Sequence, residues 1–290
     1  MVGPVAETEL PFVARDGLPL AGTLFSPSGA GGPPRPPTVV VVHGYGGSRT
    51  GPVRLWGQAL ARLGFPAFVI GNRGSDRSWL HGGRRYGGAY EWLDEAPRDL
   101  RGAIDALRRR HHRRFILAGQ SLGAVKVVYT QAVSPVDGVV GVVPRAGPRF
   151  AAGALAQYGE GFAAAMRAAE ERVSAGDPEA LIETDQPVPG PFAAGAYLEK
   201  YGPHGRYDWP LLLERLGVPW LAILGGADPS VLVRAAIEAV RGRSQTPPGC
   251  EVRIVPHWRH GLELPDEDVP AASAQLVAGW WEGIDKLAQG

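Results

Sequence analysis

The stretch FILAGQSLGAVKVVY, Phe115 to Tyr129, decides the fold. It opens as a short apolar run, passes through Gly119-Gln120-Ser121-Leu122-Gly123 and continues with helical character. A serine between two glycines, where a strand turns into a helix, sits at the tip of a tight turn with its hydroxyl projecting off the sheet. Gly119 and Gly123 remove side chains that would clash where strand and helix close on one another. The helix that follows points its N-terminus at the hydroxyl and favours negative charge there. The N–H of Leu122 is then free to face a developing oxyanion. G-x-S-x-G alone is short and recurs by chance; RFILA before it and AVKVVY after it supply the strand-turn-helix context that makes it specific.

Working outward, PTVVVVHG is a continuous β-branched run of the kind expected for a strand buried on both faces of a parallel sheet. VRLWGQALARLG is helical and ends on Gly64, FPAFVIGNRG is a strand, and EAPRDLRGAIDALRRR is helical with Pro97 in its opening turn. Beyond the serine turn, DGVVGVVP, VPWLAILGGAD and CEVRIVPH read as strands, and VLVRAAIEAVRG and DVPAASAQLVAGWWEGIDKLAQ as helices. At the start, ELPFVA and LPLAGTLFSP are joined by Asp16-Gly17, a hairpin signal, and the Gly/Pro-rich stretch from Ser26 to Pro37 reads as an exposed loop. The alternation predicts βαβ units, and so an α/β fold with a mostly parallel sheet of eight candidate strands flanked by helices.

One segment breaks the pattern. Between Arg145 and about Gly217 no buried strand is evident; RFAAGALAQYGEGFAAAMRAAEERVSAG is amphipathic and helical, and TDQPVPGPFAAG is rich in Pro and Gly. A structureless loop of that length is implausible inside a compact domain. The segment reads as a small helical cap over residues 145–217, inserted after the sixth strand of a core formed by residues 1–144 and 218–290.

Composition narrows the function. The chain has 290 residues and a formal net charge of +1, which argues against nucleic acid or an anionic membrane as the main partner. The densest basic run, RRRHHRR from Arg108 to Arg114, reads as the solvated end of a helix. Cys250 is the single cysteine, so no intramolecular disulfide and no cysteine-based metal site is expected, and H-E-x-x-H is absent. The first residues, MVGPVAETELPF, lack a basic region followed by an apolar one, and no apolar run reaches membrane-spanning length, so a cytoplasmic protein is expected.

With these motifs in this order, the chain resembles the α/β-hydrolase superfamily, in its capped serine esterase and lipase-like branch, from PTVVVVHGYGGS through the final helix. The resemblance implies a mostly parallel eight-stranded sheet with a cap after strand six, and a Ser-Asp-His chain order for a catalytic triad. A serine hydroxyl is a poor nucleophile near neutral pH and needs a base, itself oriented by an acid. Asp228, in the turn GGADP after the seventh strand, matches the family's acid position, although aspartate is also favoured there as a turn or cap residue. PHWRHGLELP offers two histidines; the resemblance favours His260, which precedes Gly261, and leaves His257 as a strand-end residue. The loop after His43-Gly44 implies Tyr45 as the second oxyanion-hole N–H beside Leu122.

Gly44, Gln120 and Trp79 are assigned to substrate contact, and Trp79, Trp92 and Trp209 are candidates for an aromatic pocket. Phe150, Phe162, Met166, Phe192, Tyr197 and Tyr201 give the cap further apolar surface. Arg73, in GNRGSDRS, is expected to brace neighbouring loops. The loop HGGRRYGGAYEWLDE either lines the pocket mouth or lies on the surface, and Arg145 and Arg149 read as surface arginines at the cap hinge. The expected activity is cofactor-free and metal-free hydrolysis of a small-molecule carboxylic ester, thioester or lactone through an acyl-enzyme on Ser121. Related epoxide hydrolases and dehalogenases are expected to carry aspartate at this turn. Acyl transfer or cyclisation with the same triad, and ligand binding without turnover, remain alternatives.

Overall fold

Thr38–Val42 (β3) carries four consecutive valines, and every one of its residues is buried, because helices cover it on both sides. The computed structural model describes residues 5–27, 36–241, 247–263 and 267–287. The other main strands are Val5–Val13 (β1), Pro19–Pro27 (β2), Ala67–Ile70 (β4), Phe115–Gln120 (β5), Val139–Arg145 (β6), Leu221–Gly225 (β7) and Glu251–Val255 (β8). They form one eight-stranded sheet in the order β1-β2-β4-β3-β5-β6-β7-β8. β2 runs antiparallel to β1 and β4, and from β4 to β8 all neighbours are parallel. The eight expected strands are therefore the eight observed.

The two-residue period of the strands divides the core. Val39, Val41, Val69 and Ile116 face a layer made by Val53–Arg62 (α1) and Val269–Leu287, the C-terminal helix. Val40, Val42, Phe68 and Leu117 face Ala96–Arg108 (α2) and Leu122–Val133 (α3) on the opposite side. Asp16-Gly17 closes the β1–β2 hairpin with Gly17 at φ +90°. Most of the loop expected over 26–37 lies outside the described residues, as does the end of the sequence stretch expected to be helical beyond Leu287.

Between β6 and β7 stand Gly159–Ser174 (α4) and Ala194–Tyr201 (α5), with shorter helical turns. Besides the helices, the insertion holds a short hairpin that was not expected: Leu181–Thr184 pairs antiparallel with Gly190–Ala193. Four-residue strands around Pro-rich sequence are too short to show a period. A second hairpin, Trp79–His81 with Arg84–Tyr86, replaces the loop expected there. Its turn is Gly82-Gly83, both at positive φ (+56° and +79°), a conformation that glycine reaches without strain. No helix among the described residues is long and apolar enough to cross a membrane.

Candidate active site

β5 ends and α3 begins at Ser121, which adopts φ +57° and ψ −122°. A non-glycine residue rarely holds such a conformation, and the strain costs about 1–3 kcal/mol. The surroundings enforce it: a Cβ on Gly119 would lie 2.1 Å from the Gly123 carbonyl oxygen, and one on Gly123 2.2 Å from that of Val42. Strand, turn and helix thus approach so closely that only glycine fits on either side of the serine. The Ser121 N–H donates to the Arg145 carbonyl at 2.9 Å, which fixes the turn to β6.

Three side chains from three loops meet at this point. Ser121 Oγ donates to His260 Nε2 at 2.7 Å, and His260 Nδ1–H donates to Asp228 Oδ2 at 2.9 Å. The Asp228 carboxylate can only accept, so Nδ1 carries the proton and Nε2 of the neutral ring accepts from the hydroxyl. Asp228 is buried, and its Oδ1 accepts the Ser230 N–H at 2.9 Å, so both carboxylate oxygens are engaged. His257 is elsewhere: it is exposed and bonds Glu267 at 2.8 Å. The N–H groups of Tyr45 and Leu122 donate to no other described residue.

A cavity of about 360 Å³ opens over Ser121 and His260. Its aromatic wall is Tyr45, Phe150, Tyr158 and Tyr201, with Val188 and Leu232 among its aliphatic members. Phe150 and Tyr201 were within reach of sequence reasoning; Tyr158 was not singled out. Phe192 backs the wall by stacking on Tyr45, with ring centres 5.0 Å apart. The Lys200 ammonium lies behind it, 5.3 Å from the Tyr45 ring centre.

The assigned substrate contacts are distributed differently. Trp79 lies away from the cavity, because its hairpin stacks it on Tyr86 at 4.7 Å. Trp92 abuts Gly195, and Trp209 is buried with Nε1–H donating to the Gly147 carbonyl at 3.1 Å. Gln120 turns away from the cavity, its amide donating to the His260 carbonyl at 2.8 Å. Gly44 supplies clearance: a Cβ there would stand 2.9 Å from Ser121 Cβ.

Two arginines also depart from expectation. Arg145 is buried, donating to the carbonyls of His260 and Gly261 and stacking on Trp258. Arg149 pairs with Asp208 at 2.9 Å. Arg73 braces loops as expected, pairing with Asp99, Glu95 and Asp16. Sequence reasoning missed Lys126, buried in α3 and paired with Glu91 at 2.5 Å; a lone lysine in an otherwise uncharged helix was the available signal. Among the described residues no group of His, Cys, Asp and Glu is arranged to hold a metal ion.

Residues 33–175, just under half of the chain, match the family described as serine aminopeptidase, S33. No curated protein matches the chain in sequence. Among solved structures it is similar to hypothetical protein PA2218 from Pseudomonas aeruginosa, with TM-score 0.70 and 17% identity over 96% of this chain and 94% of that one. It is also similar to the α/β hydrolase GrgF from Penicillium sp. sh18, with TM-score 0.68 and 14% identity over 96% and 99%. The Pyrococcus furiosus esterase Pf2001 aligns at TM-score 0.60 and 16% identity over 96% and 92%. At these identities the structural likeness is one of fold. Together with the family match and the serine turn, it gives this chain the fold of the α/β hydrolases.

Proposed function

We propose that the protein is a serine hydrolase that cleaves a carboxylic ester, thioester or lactone through an acyl-enzyme on Ser121. The observation that carries the reading is the hydrogen-bonded line from Ser121 through His260 to Asp228 at the floor of the cavity. His260 Nε2 takes the Ser121 proton as Oγ attacks the carbonyl carbon. The negative charge that develops on the carbonyl oxygen is met by the N–H groups of Tyr45 and Leu122, a contribution of about 10²–10³ in rate per donor. The tetrahedral species collapses as His260 returns the proton to the departing alcohol or thiol. Water, deprotonated by the same nitrogen, then releases the acid and restores Ser121. Asp228 holds the imidazole in the required tautomer and stabilises its transient positive charge.

The test is labelling by a fluorophosphonate probe, with the adduct located by mass spectrometry. An adduct on Ser121 that is absent from His260→Ala is the expected result. A folded protein that forms no adduct at Ser121 overturns the reading.

A further inference from the structure

We propose that the cavity selects uncharged, aryl-bearing esters, that it rejects substrates with a free ammonium beside the scissile carbonyl, and that the Tyr201 hydroxyl reads a polar group at the far end of the aryl. This rests on the esterase reading of Ser121, and the experiment below separates the two. The wall offers four ring faces, from Tyr45, Phe150, Tyr158 and Tyr201. Rings stack on rings with an energy beyond that of their buried area, so a planar apolar body gains most from such a wall.

Charge is absent where a substrate would need it. Among the described residues the only carboxylate on the wall is Asp228, and its two oxygens are taken by His260 and the Ser230 N–H. An α-ammonium would lose its water and find no counter-charge, a cost of several kcal/mol. The buried ammonium of Lys200 stands behind the rings of Tyr45 and Tyr201, outside the lining. Burial pushes the Tyr45 phenol up to about 12 and that of Tyr201 well above its usual value, so the wall stays neutral through the working range. The family match names an aminopeptidase, but it ends at residue 175, before Tyr201 and Asp228.

The polar element of this neutral wall is Tyr201. Tyr201 lines the cavity with its ring locked against Phe150 and Phe192, and its hydroxyl, on a buried residue, bonds to no described residue. A hydroxyl held by a rigid ring at an apolar wall, without a protein partner, gives a substrate one directed hydrogen bond.

Three esters differing by one substituent test this: ethyl 3-phenylpropionate, ethyl 3-(4-hydroxyphenyl)propionate and phenylalanine ethyl ester, each corrected for its alkaline hydrolysis rate. At pH 6, where the α-amine is almost wholly protonated, the expected kcat/KM for the phenylalanine ester is lower than that of the unsubstituted ester by about tenfold or more. The ring hydroxyl is expected to raise kcat/KM about threefold to tenfold, and Tyr201→Phe to bring that ratio towards one. Equal turnover of the phenylalanine ester overturns the proposal, as does a hydroxyl preference that survives Tyr201→Phe. Hydrolysis of 4-nitrophenyl acetate that is lost in Ser121→Ala, without discrimination among the three esters, overturns this inference alone. Failure to hydrolyse any ester overturns the esterase reading and this inference with it.

Discussion

The guanidinium of Arg145 donates to the backbone carbonyl of His260 at 3.3 Å through one nitrogen and to that of Gly261 at 2.8 Å through another. The Gln120 amide donates to the same His260 carbonyl at 2.8 Å. Two residues flanking the serine turn in space, one at the end of β5 and one at the end of β6, therefore hold the backbone that carries the imidazole. Burial pulls the Arg145 guanidinium down to about 10, with the charge of Asp228 acting in the opposite sense, and it remains a cation at neutral pH. Misplacing a catalytic group by about 1 Å can cost about 10²-fold in rate. Arg145→Met is expected to lower kcat by that order with a smaller change in KM, and Arg145→Lys to restore part of it. Steady-state kinetics of the two variants, with their thermal midpoints, separates loss of placement from loss of stability. A KM effect without a kcat effect would exclude this role.

A triad acts as a unit, so removing one member loses most of what all three supply. Ser121→Ala and His260→Ala are each expected to lower turnover of any accepted ester by about 10⁴–10⁶. His257 bonds Glu267 in solvent, and His257→Ala should change turnover by less than about threefold, as expected for a surface substitution. Single-turnover assays on the purified variants check the ranking. The opposite order for the two histidines would assign the base to His257.

What could be seen in the sequence follows from how local each cause is. Ser121 and its glycines lie within five residues, and their geometry is a property of one turn. Asp228 and His260 followed from the order of strands together with the resemblance to the α/β-hydrolase superfamily, which alone favoured His260 over His257; parallel sheets gather such loops at one end. Gln120 and Arg145 were misread because their partners are carbonyls 115 or more residues away, and no side-chain pattern marks a backbone acceptor. Trp79 was placed in the pocket because its segment passed for a loop. The Gly82-Gly83 turn folds that segment into a hairpin and turns the indole onto Tyr86. Tyr158 was missed because an aromatic residue in an amphipathic helical segment looks like core packing.

His43 ties pH to the loop that carries Tyr45. It is buried, its Nδ1–H donates to the Gly44 carbonyl at 2.8 Å, and the Ser75 hydroxyl donates to Nε2 at 2.9 Å. Burial, aided by the nearby Lys126 charge, lowers its pKa to about 4, against 6.5 in the unfolded chain. The unfolded state therefore binds a proton first as pH falls. The stability contributed by neutral His43 is complete above 6.5, falls between 6.5 and about 4, and levels off below. The full effect is on the order of 3 kcal/mol. Urea unfolding of the wild type and of His43→Asn at pH 7 and pH 4.5 checks it. The variant should lose less stability on acidification, and parallel losses would rule out His43 as the source.

Arg73 provides a stability test away from the chemistry. Its side chain is buried and pairs with Asp99 at 2.8 Å, Glu95 at 2.8 Å and Asp16 at 3.0 Å, linking the loop after β4 to α2 and to the first hairpin. Asp99 is equally buried and also accepts the Arg73 backbone N–H at 2.9 Å. Removing one partner of a buried pair strands the other, at a cost of about 3–5 kcal/mol, whereas replacing both with apolar groups is often close to neutral. Arg73→Met should therefore destabilise by that amount. Because the two residues touch, Asp99→Leu in the same chain should recover a large part of it. A double-mutant cycle by urea denaturation measures the coupling. Additive losses would mean that Arg73 acts mainly through Glu95 and Asp16, which hold it after Asp99 is gone.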